Sequence, residues 1–144
     1  LAEYSLHFCE RQQLPISLVF FDLDNFKSIN DDYGHKEGDR ALRRFAELLQ
    51  QSCRHSDLYA RLGGDEFALL LTNTSESSAI SFVSKFQKIL LQFNDQSSLP
   101  YQINVSCGVT SVDTTDTITL EKMLAAGDKK MYQAKMNKNN SLTG

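Results

Sequence analysis

No stretch of this sequence could cross a membrane as a helix. Its apolar runs are short, such as residues 67–71, and a helical span needs about 20 apolar residues. No secretory leader is visible at the amino terminus. Cysteine is scarce. Cys9, Cys53 and Cys107 are odd in number and none are spaced as CxxC, so a disulfide framework is not expected. They read as free thiols of a reducing compartment. His7, His35 and His55 form no metal-type pair with them, which removes a zinc site. Positive charge is not in excess either: 15 Lys and Arg against 18 Asp and Glu leave a net charge of −3. That balance argues against a nucleic-acid polyanion as partner, though not against one nucleotide at a local site. Internal repeats, low-complexity tracts and linkers are all missing.

What is present is ordinary for one soluble domain. The chain has 144 residues, 41% hydrophobic and 23% charged, enough to build its own core. It begins at Leu1 rather than Met, so residues 1–144 are expected to be one domain cut from a longer protein. Residues 2–12 read as the end of a helix. Pro15 opens an apolar run, Ile16 to Phe21, whose lack of alternation fits a strand buried on both faces. Asn25 to Asp31 is a short helix candidate. Glu37 to Gln51 is a stronger one, with Leu42, Phe45, Ala46 and Leu49 on one face. Leu58 to Leu62 and Phe67 to Leu71 flank a Gly-Gly turn as a hairpin. Thr74 or Ser75 can cap a helix with the stripe Ala79, Phe82, Val83, Phe86, Leu90. Tyr101 to Cys107 alternates like a half-exposed strand. Leu120 to Lys135 is the last helix, with Leu120, Met123, Leu124, Gly127 and Met131 inward. The expected fold is α/β (α+β): a mixed central sheet of about five strands flanked by helices.

The chemistry gathers at two acidic clusters. Arg61-Leu62-Gly63-Gly64-Asp65-Glu66-Phe67 puts carboxylates at the tip of the hairpin, and Asp22-Leu23-Asp24 ends the first strand. Ligands of open sheets sit beyond strand ends, so Asp22 and Asp65 can converge if their strands are neighbours. Two such carboxylates suit Mg²⁺, a hard cation held by one or two acids plus substrate phosphates. Lys27, one turn past Asp24, can add positive charge near a triphosphate, or be a solvated helix lysine. Asn30 and Asp39 bracket a glycine-rich stretch. A carboxylate can accept both donors on the guanine edge, and an amide can donate and accept. The alternative is that both residues cap helix ends. Arg54 and Asp57 form either a surface ion pair or a phosphate-facing pair.

The motifs Phe21-Asp22-Leu23-Asp24-Asn25-Phe26-Lys27-Ser28-Ile29-Asn30-Asp31, Gly34-His35-x-x-Gly38-Asp39 and Arg61 through Phe67 stand in order. Val105-Ser106-Cys107-Gly108-Val109 and Asp128-x-x-Met131-Tyr132-x-Ala134-Lys135 follow. Together they resemble the GGDEF family of diguanylate cyclases over nearly the whole chain. The resemblance implies a fold like adenylyl cyclase catalytic domains and polymerase palms. It implies a bacterial signalling enzyme of the cytoplasm, a nucleotidyltransferase that condenses two GTP into cyclic di-GMP and releases two pyrophosphates. Catalysis would need a two-fold homodimer and Mg²⁺ or Mn²⁺, two ions per GTP half-site. The domain itself would contact neither nucleic acid nor membrane, although the full-length protein could be membrane-tethered.

By this resemblance Asp22 and Asp65 ligate metal through side chains and Leu23 through its carbonyl. Asp65, with Glu66 beside it, accepts the 3′-hydroxyl proton, and Lys27 stabilises the transition state. Asn30 and Asp39 read guanine, with Phe26 and His35 beside the substrate. Gly63 and Gly64 let backbone lie along the phosphates, and Lys135 holds the terminal ones. Arg54-x-x-Asp57, with Lys85 as a second contact, matches the family's site for inhibition by product. The rival implication is a receptor module that binds GTP or cyclic di-GMP without turnover. Two departures stand out. The family commonly follows its lysine with Gly-Arg-Asn, whereas Lys138-Asn139-Asn140 stands here, so Asn139 replaces an arginine and Lys138 is the cation available to cover for it. An Asp-x-Leu-Thr-x-Leu-x-Asn-Arg leading motif is absent.

Overall fold

The structure, a computed structural model, describes residues 1–112 and 119–143, with side chains through residue 140. In chain order the elements are α1 (Ala2–Arg11), β1 (Ile16–Leu23), α2 (Phe26–Tyr33), α3 (His35–Ser52), β2 (Leu58–Gly63), β3 (Glu66–Thr72), α4 (Glu76–Gln96), β4 (Val105–Val112) and α5 (Leu120–Thr143). The strands form one sheet in the order β2-β3-β1-β4. The α+β class expected from sequence is what forms. The detail differs: the described residues give four strands, not about five, and every pair is antiparallel, so the sheet is not mixed. The cause is strand placement. β3 and β4 run in the same direction, joined through α4, but β1 lies between them and opposes both.

All of β1 is buried, as its unbroken apolar run implied. Its side chains alternate between two cores. Val19, Phe21 and Leu23 face α3 and α4, where Phe45 packs within 5.6 Å of Phe21 and 4.9 Å of Phe67. Ile16, Leu18 and Phe20 face α1 and α5, against Leu6, Cys9, Met123 and Met131. Ser75 caps α4, its hydroxyl accepting from the Ser78 amide at 3.3 Å. Gly34, at φ 91°, separates α2 from α3, so both helices run past the bounds expected from sequence.

The expected strand at Tyr101 to Cys107 is displaced: β4 starts at Val105 and runs to Val112. The Asn94 amide holds Ile103 from both sides, at 2.8 and 3.0 Å, so a helix side chain takes the backbone groups a ladder would use. Among the described residues no helix is long and apolar enough to cross a membrane.

The tightest contact is between α5 and the sheet. A Cβ at Gly108 of β4 would stand 2.1 Å from the carbonyl oxygen of Gly127 and 2.4 Å from the amide of Met131. A Cβ at Gly127 would meet Leu18 and Phe20 at 3.2 Å. Helix backbone thus lies on strand backbone. The same proximity lets Lys130 of α5 donate to the Val109 carbonyl at 3.0 Å on the outer edge of β4. Gly108→Ala is expected to lower stability by about 1–3 kcal/mol, because backbone must move to admit the methyl group. Urea unfolding followed by circular dichroism measures this, and a midpoint equal to that of the unsubstituted chain would show the contact is slack.

Candidate active site

Asp22 is the last even-numbered residue of β1, on the face that α5 covers. Across the ladders it pairs with Glu66 of β3 and Ser106 of β4. The hairpin tip folds over the same strand end. Gly64 turns at φ 35°, in the left-handed region, and its carbonyl accepts from Arg61 Nε at 2.9 Å. The Asp65 carbonyl accepts from the Leu23 amide at 3.0 Å, tying the tip to β1. The convergence of Asp22 and Asp65 expected from neighbouring strands is therefore what the sheet order produces.

The electrostatics of the site are set by the burial of Asp22 and its crowding against Asp65 and Lys135. Asp22 is buried, with 9% of its surface exposed. Among the described residues no donor reaches one oxygen, Oδ1, while Oδ2 lies 3.1 Å from Lys135 Nζ. Burial, and then hydrogen bonding to Asp65, push the Asp22 carboxyl up to about 6 against the opposing pull of Lys135. Among the described residues no three acids, histidines or cysteines cluster tightly enough to form a metal cage alone. Two carboxylates with one bare buried oxygen leave the remaining positions to substrate and water, which fits magnesium better than a cage would.

Asp24, two residues on, is differently placed. Ser106 Oγ donates to its Oδ1 at 2.7 Å, and Lys138 Nζ to its Oδ2 at 2.8 Å. Sequence reasoning gave Asp24 no role of its own and left Lys138 as a stand-in cation. The spacing held a signal: acids at 22 and 24 stand two residues apart across the end of β1, and lysines at 135 and 138 share one helix side.

A second group forms at the α2–α3 corner. A Cβ at Gly38 would lie 1.8 Å from Asn30 Oδ1 and 3.4 Å from the Phe26 ring, so both side chains rest against the bare backbone of α3. Neither Asn30 nor Asp39 caps a helix: Asn30 lies inside α2, and Gly34 is the N-cap of α3. Asp39 is exposed and lines a recess of about 500 Å³ with Arg43, Tyr59, Arg61 and Phe67. The corner is held by residues that sequence reasoning missed. Tyr101 donates to the Glu37 carboxylate at 2.9 Å, and Tyr33 to the Pro100 carbonyl at 3.0 Å. Burial, then Glu37, push the Tyr101 phenol up to about 12. Only their long-range pairing reveals the two tyrosines. Lys27 and His35 are exposed, and no hydrogen bond or ion pair ties either to these groups among the described residues.

Arg54 and Asp57 are not a loose surface pair. The Asp57 side chain is 2% exposed and accepts from the Arg54 amide at 2.9 Å as well as from its guanidinium at 3.1 Å. Arg54 Nη2 also donates to the Thr72 carbonyl at 2.7 Å and to Thr74 Oγ1 at 2.9 Å, stapling the end of α3 to the β3–α4 turn. The Arg54 side chain stays 57% exposed. Lys85 borders a separate serine-lined recess of about 470 Å³, with Ser52, Ser77, Ser78, Ser81 and Phe82.

Comparison with known proteins places this geometry among relatives. Residues 2–141 match the family model described as diguanylate cyclase, GGDEF domain. Diguanylate cyclase DgcS of Shewanella oneidensis is 34% identical over 131 residues, which are 91% of this chain and 43% of that protein. The active GGEEF domain of a diguanylate cyclase from Vibrio cholerae superposes with a TM-score of 0.83 at 28% identity, over 94% of this chain and 86% of that one. A microbial GGDEF domain solved for its interaction with cyclic di-GMP superposes at 0.78 with 29% identity, over 94% and 82% of the two chains. The chain spans less than half the length of the curated relatives it matches first.

A raised Asp22 has a definite sign. The folded metal-free protein holds its proton up to about pH 6, whereas an unfolded aspartate releases it near 3.8. Stability contributed by the protonated form is complete below the unfolded value and is lost as pH rises through the folded one. Asp22→Asn is expected to flatten that fall between about pH 4 and 6 and to stabilise the metal-free chain above it. Thermal melts in chelator across this range read the effect, and parallel curves for both proteins would remove Asp22 as the cause.

Proposed function

The chain belongs to the GGDEF family, and on that footing we propose that it is the catalytic domain of a diguanylate cyclase. Two GTP molecules condense to cyclic di-GMP at the interface of a two-fold homodimer. The observation that carries this reading is the bare, buried Oδ1 of Asp22 beside the Asp65 turn, with Lys135 across from it. A pure receptor has no use for a desolvated Asp22 carboxylate that costs stability when ionised.

Magnesium or manganese, two ions per half-site, supplies charge neutralisation at the phosphates when bound. Asp22 and Asp65 would hold it by carboxylate and Leu23 by its carbonyl. Asp39 accepts from the two donors on the guanine edge and the Asn30 amide donates to and accepts from the base, with the Phe26 ring and His35 alongside. Among the described residues, nothing beyond the adjacent chain lies within 4 Å of a Cβ built at Gly63 or Gly64, which leaves room there for phosphates. Lys27 and Lys135 bind the triphosphate there. Each 3′-hydroxyl oxygen attacks the α-phosphorus of the opposite GTP. Its proton passes to Asp65, assisted by Glu66, as the bond to the β-phosphate breaks and pyrophosphate leaves. Rate comes from positioning and charge rather than from a covalent intermediate. A domain that uses GTP would work in the cytoplasm.

Product feedback acts through Arg54, with Asp57 and Lys85. The exposed guanidinium face meets a phosphate or stacks on guanine. The relative solved with cyclic di-GMP supports a product-binding surface in such domains.

The direct test incubates the chain with GTP and Mg²⁺ at low and high protein concentration and separates the products by chromatography. Cyclic di-GMP is expected from the wild type, more steeply than in proportion to protein. Asp65→Asn is expected to lower the rate by about a hundredfold or more. A near wild-type rate in that variant would sink the assignment.

Feedback is read from progress curves with added cyclic di-GMP. Arg54→Lys keeps a cation at the staple and loses the fork, so inhibition should weaken while synthesis persists. Equal slowing of both proteins, or full rescue of the wild type by raised GTP, would return Arg54 to a structural role alone.

A further inference from the structure

Two lysines one turn apart on α5 each meet one acid at the end of β1, yet they are held very differently. Lys135 Nζ touches a single carboxylate oxygen, Asp22 Oδ2, at 3.1 Å. That carboxylate is the one whose other oxygen is bare. A cation arriving there competes directly with the lysine, so Lys135 is displaceable. Lys138 is not held in that way. It donates to Asp24 Oδ2 at 2.8 Å and also to the Val105 carbonyl. Asp24 is fixed in turn, because Ser106 Oγ donates to its other oxygen at 2.7 Å and its backbone amide donates to the Asn104 carbonyl at 2.8 Å. The Asp24 side chain is only 15% exposed. Both of its carboxylate oxygens are engaged by donors.

We infer that Lys138 is a positioning residue: with Asp24 and Ser106 it anchors the carboxy-terminal half of α5 to the sheet, so that Lys135 can leave Asp22 for the substrate phosphates without the helix end lifting away. The inference rests on the reading of Lys135 as a phosphate-binding lysine. It assigns the two acids distinct duties. Asp22 is a ligand whose lysine is borrowed, and Asp24 is an anchor whose lysine stays.

Amide hydrogen exchange of the full chain, free of metal and nucleotide, reads the anchor without the reaction. Lys138→Met and Asp24→Asn are each expected to speed exchange across residues 132–143 by about fivefold, and Lys138→Arg to restore protection. The double variant should go no further than either single one, since the two groups form one contact. In the synthesis assay Lys138→Met is expected to raise KM for GTP by about the same factor while kcat stays within about twofold. Exchange unchanged in both single variants would overturn the anchor. A raised KM with unchanged exchange would also overturn it and make Lys138 a direct phosphate contact. If the wild type makes no cyclic di-GMP, the cyclase reading falls, and exchange alone still decides whether the anchor exists.

Discussion

A helix can lie on a sheet backbone to backbone only where neither carries a side chain at the crossing. Gly108 and Gly127 satisfy that condition here, with 2.1 Å left for a Cβ that is not present. The consequence runs along α5. From Gly127 to Lys135 is eight residues, about 12 Å of helix at its usual rise. Over that length the helix stays close enough to β1 for a lysine to reach a carboxylate at the strand end. Had the crossing been a leucine wider, Lys135 and Lys138 would hang in solvent, and Asp22 would be a buried acid with no counter-charge at all. The site is thus a product of packing before it is a product of charge.

The opposite face shows the same ordering of causes. The phenylalanine cluster of Phe21, Phe45, Phe67 and Phe86 fixes α3 against the sheet. The first turns of α3 carry Gly38 and Asp39. Because Gly38 admits the Asn30 amide onto its backbone, the two polar residues at this corner are set by the core behind them. Their separation does not depend on a flexible loop.

Much of this was legible in the residues. The unbroken apolar run of β1, the Gly-Gly hairpin and the stripe of α3 each named their element, because burial on both faces, positive φ and 3.6-residue periodicity leave direct marks on composition. The convergence of Asp22 with Asp65 followed once the strands were neighbours. The start of β4 was not legible. Tyr101 and Ile103 alternate with polar residues as a strand would, but Asn94, nine residues before Ile103, captures that backbone. The extension of α5 past Lys135 was missed for a related reason: residues 137–140 are polar, and what holds them is the acid at the end of β1. Long-range side-chain bonds leave no periodic trace. The buried state of Asp57 was hidden likewise, since nothing local shows that Thr72 and Thr74 would close over Arg54.

β4 is an outer strand of the described sheet, and its exposed edge is a template that any extended peptide could join. Two of its outward carbonyls, those of Val105 and Val109, are already occupied by Lys138 and Lys130. A foreign strand would have to strip two ammonium groups from their acceptors before the first rung of a new ladder could form. The lysines that serve the interior of the molecule on one side of α5 therefore also guard its margin against self-templated aggregation. A change at either would be felt in how concentrated the protein can become before it associates through its edges.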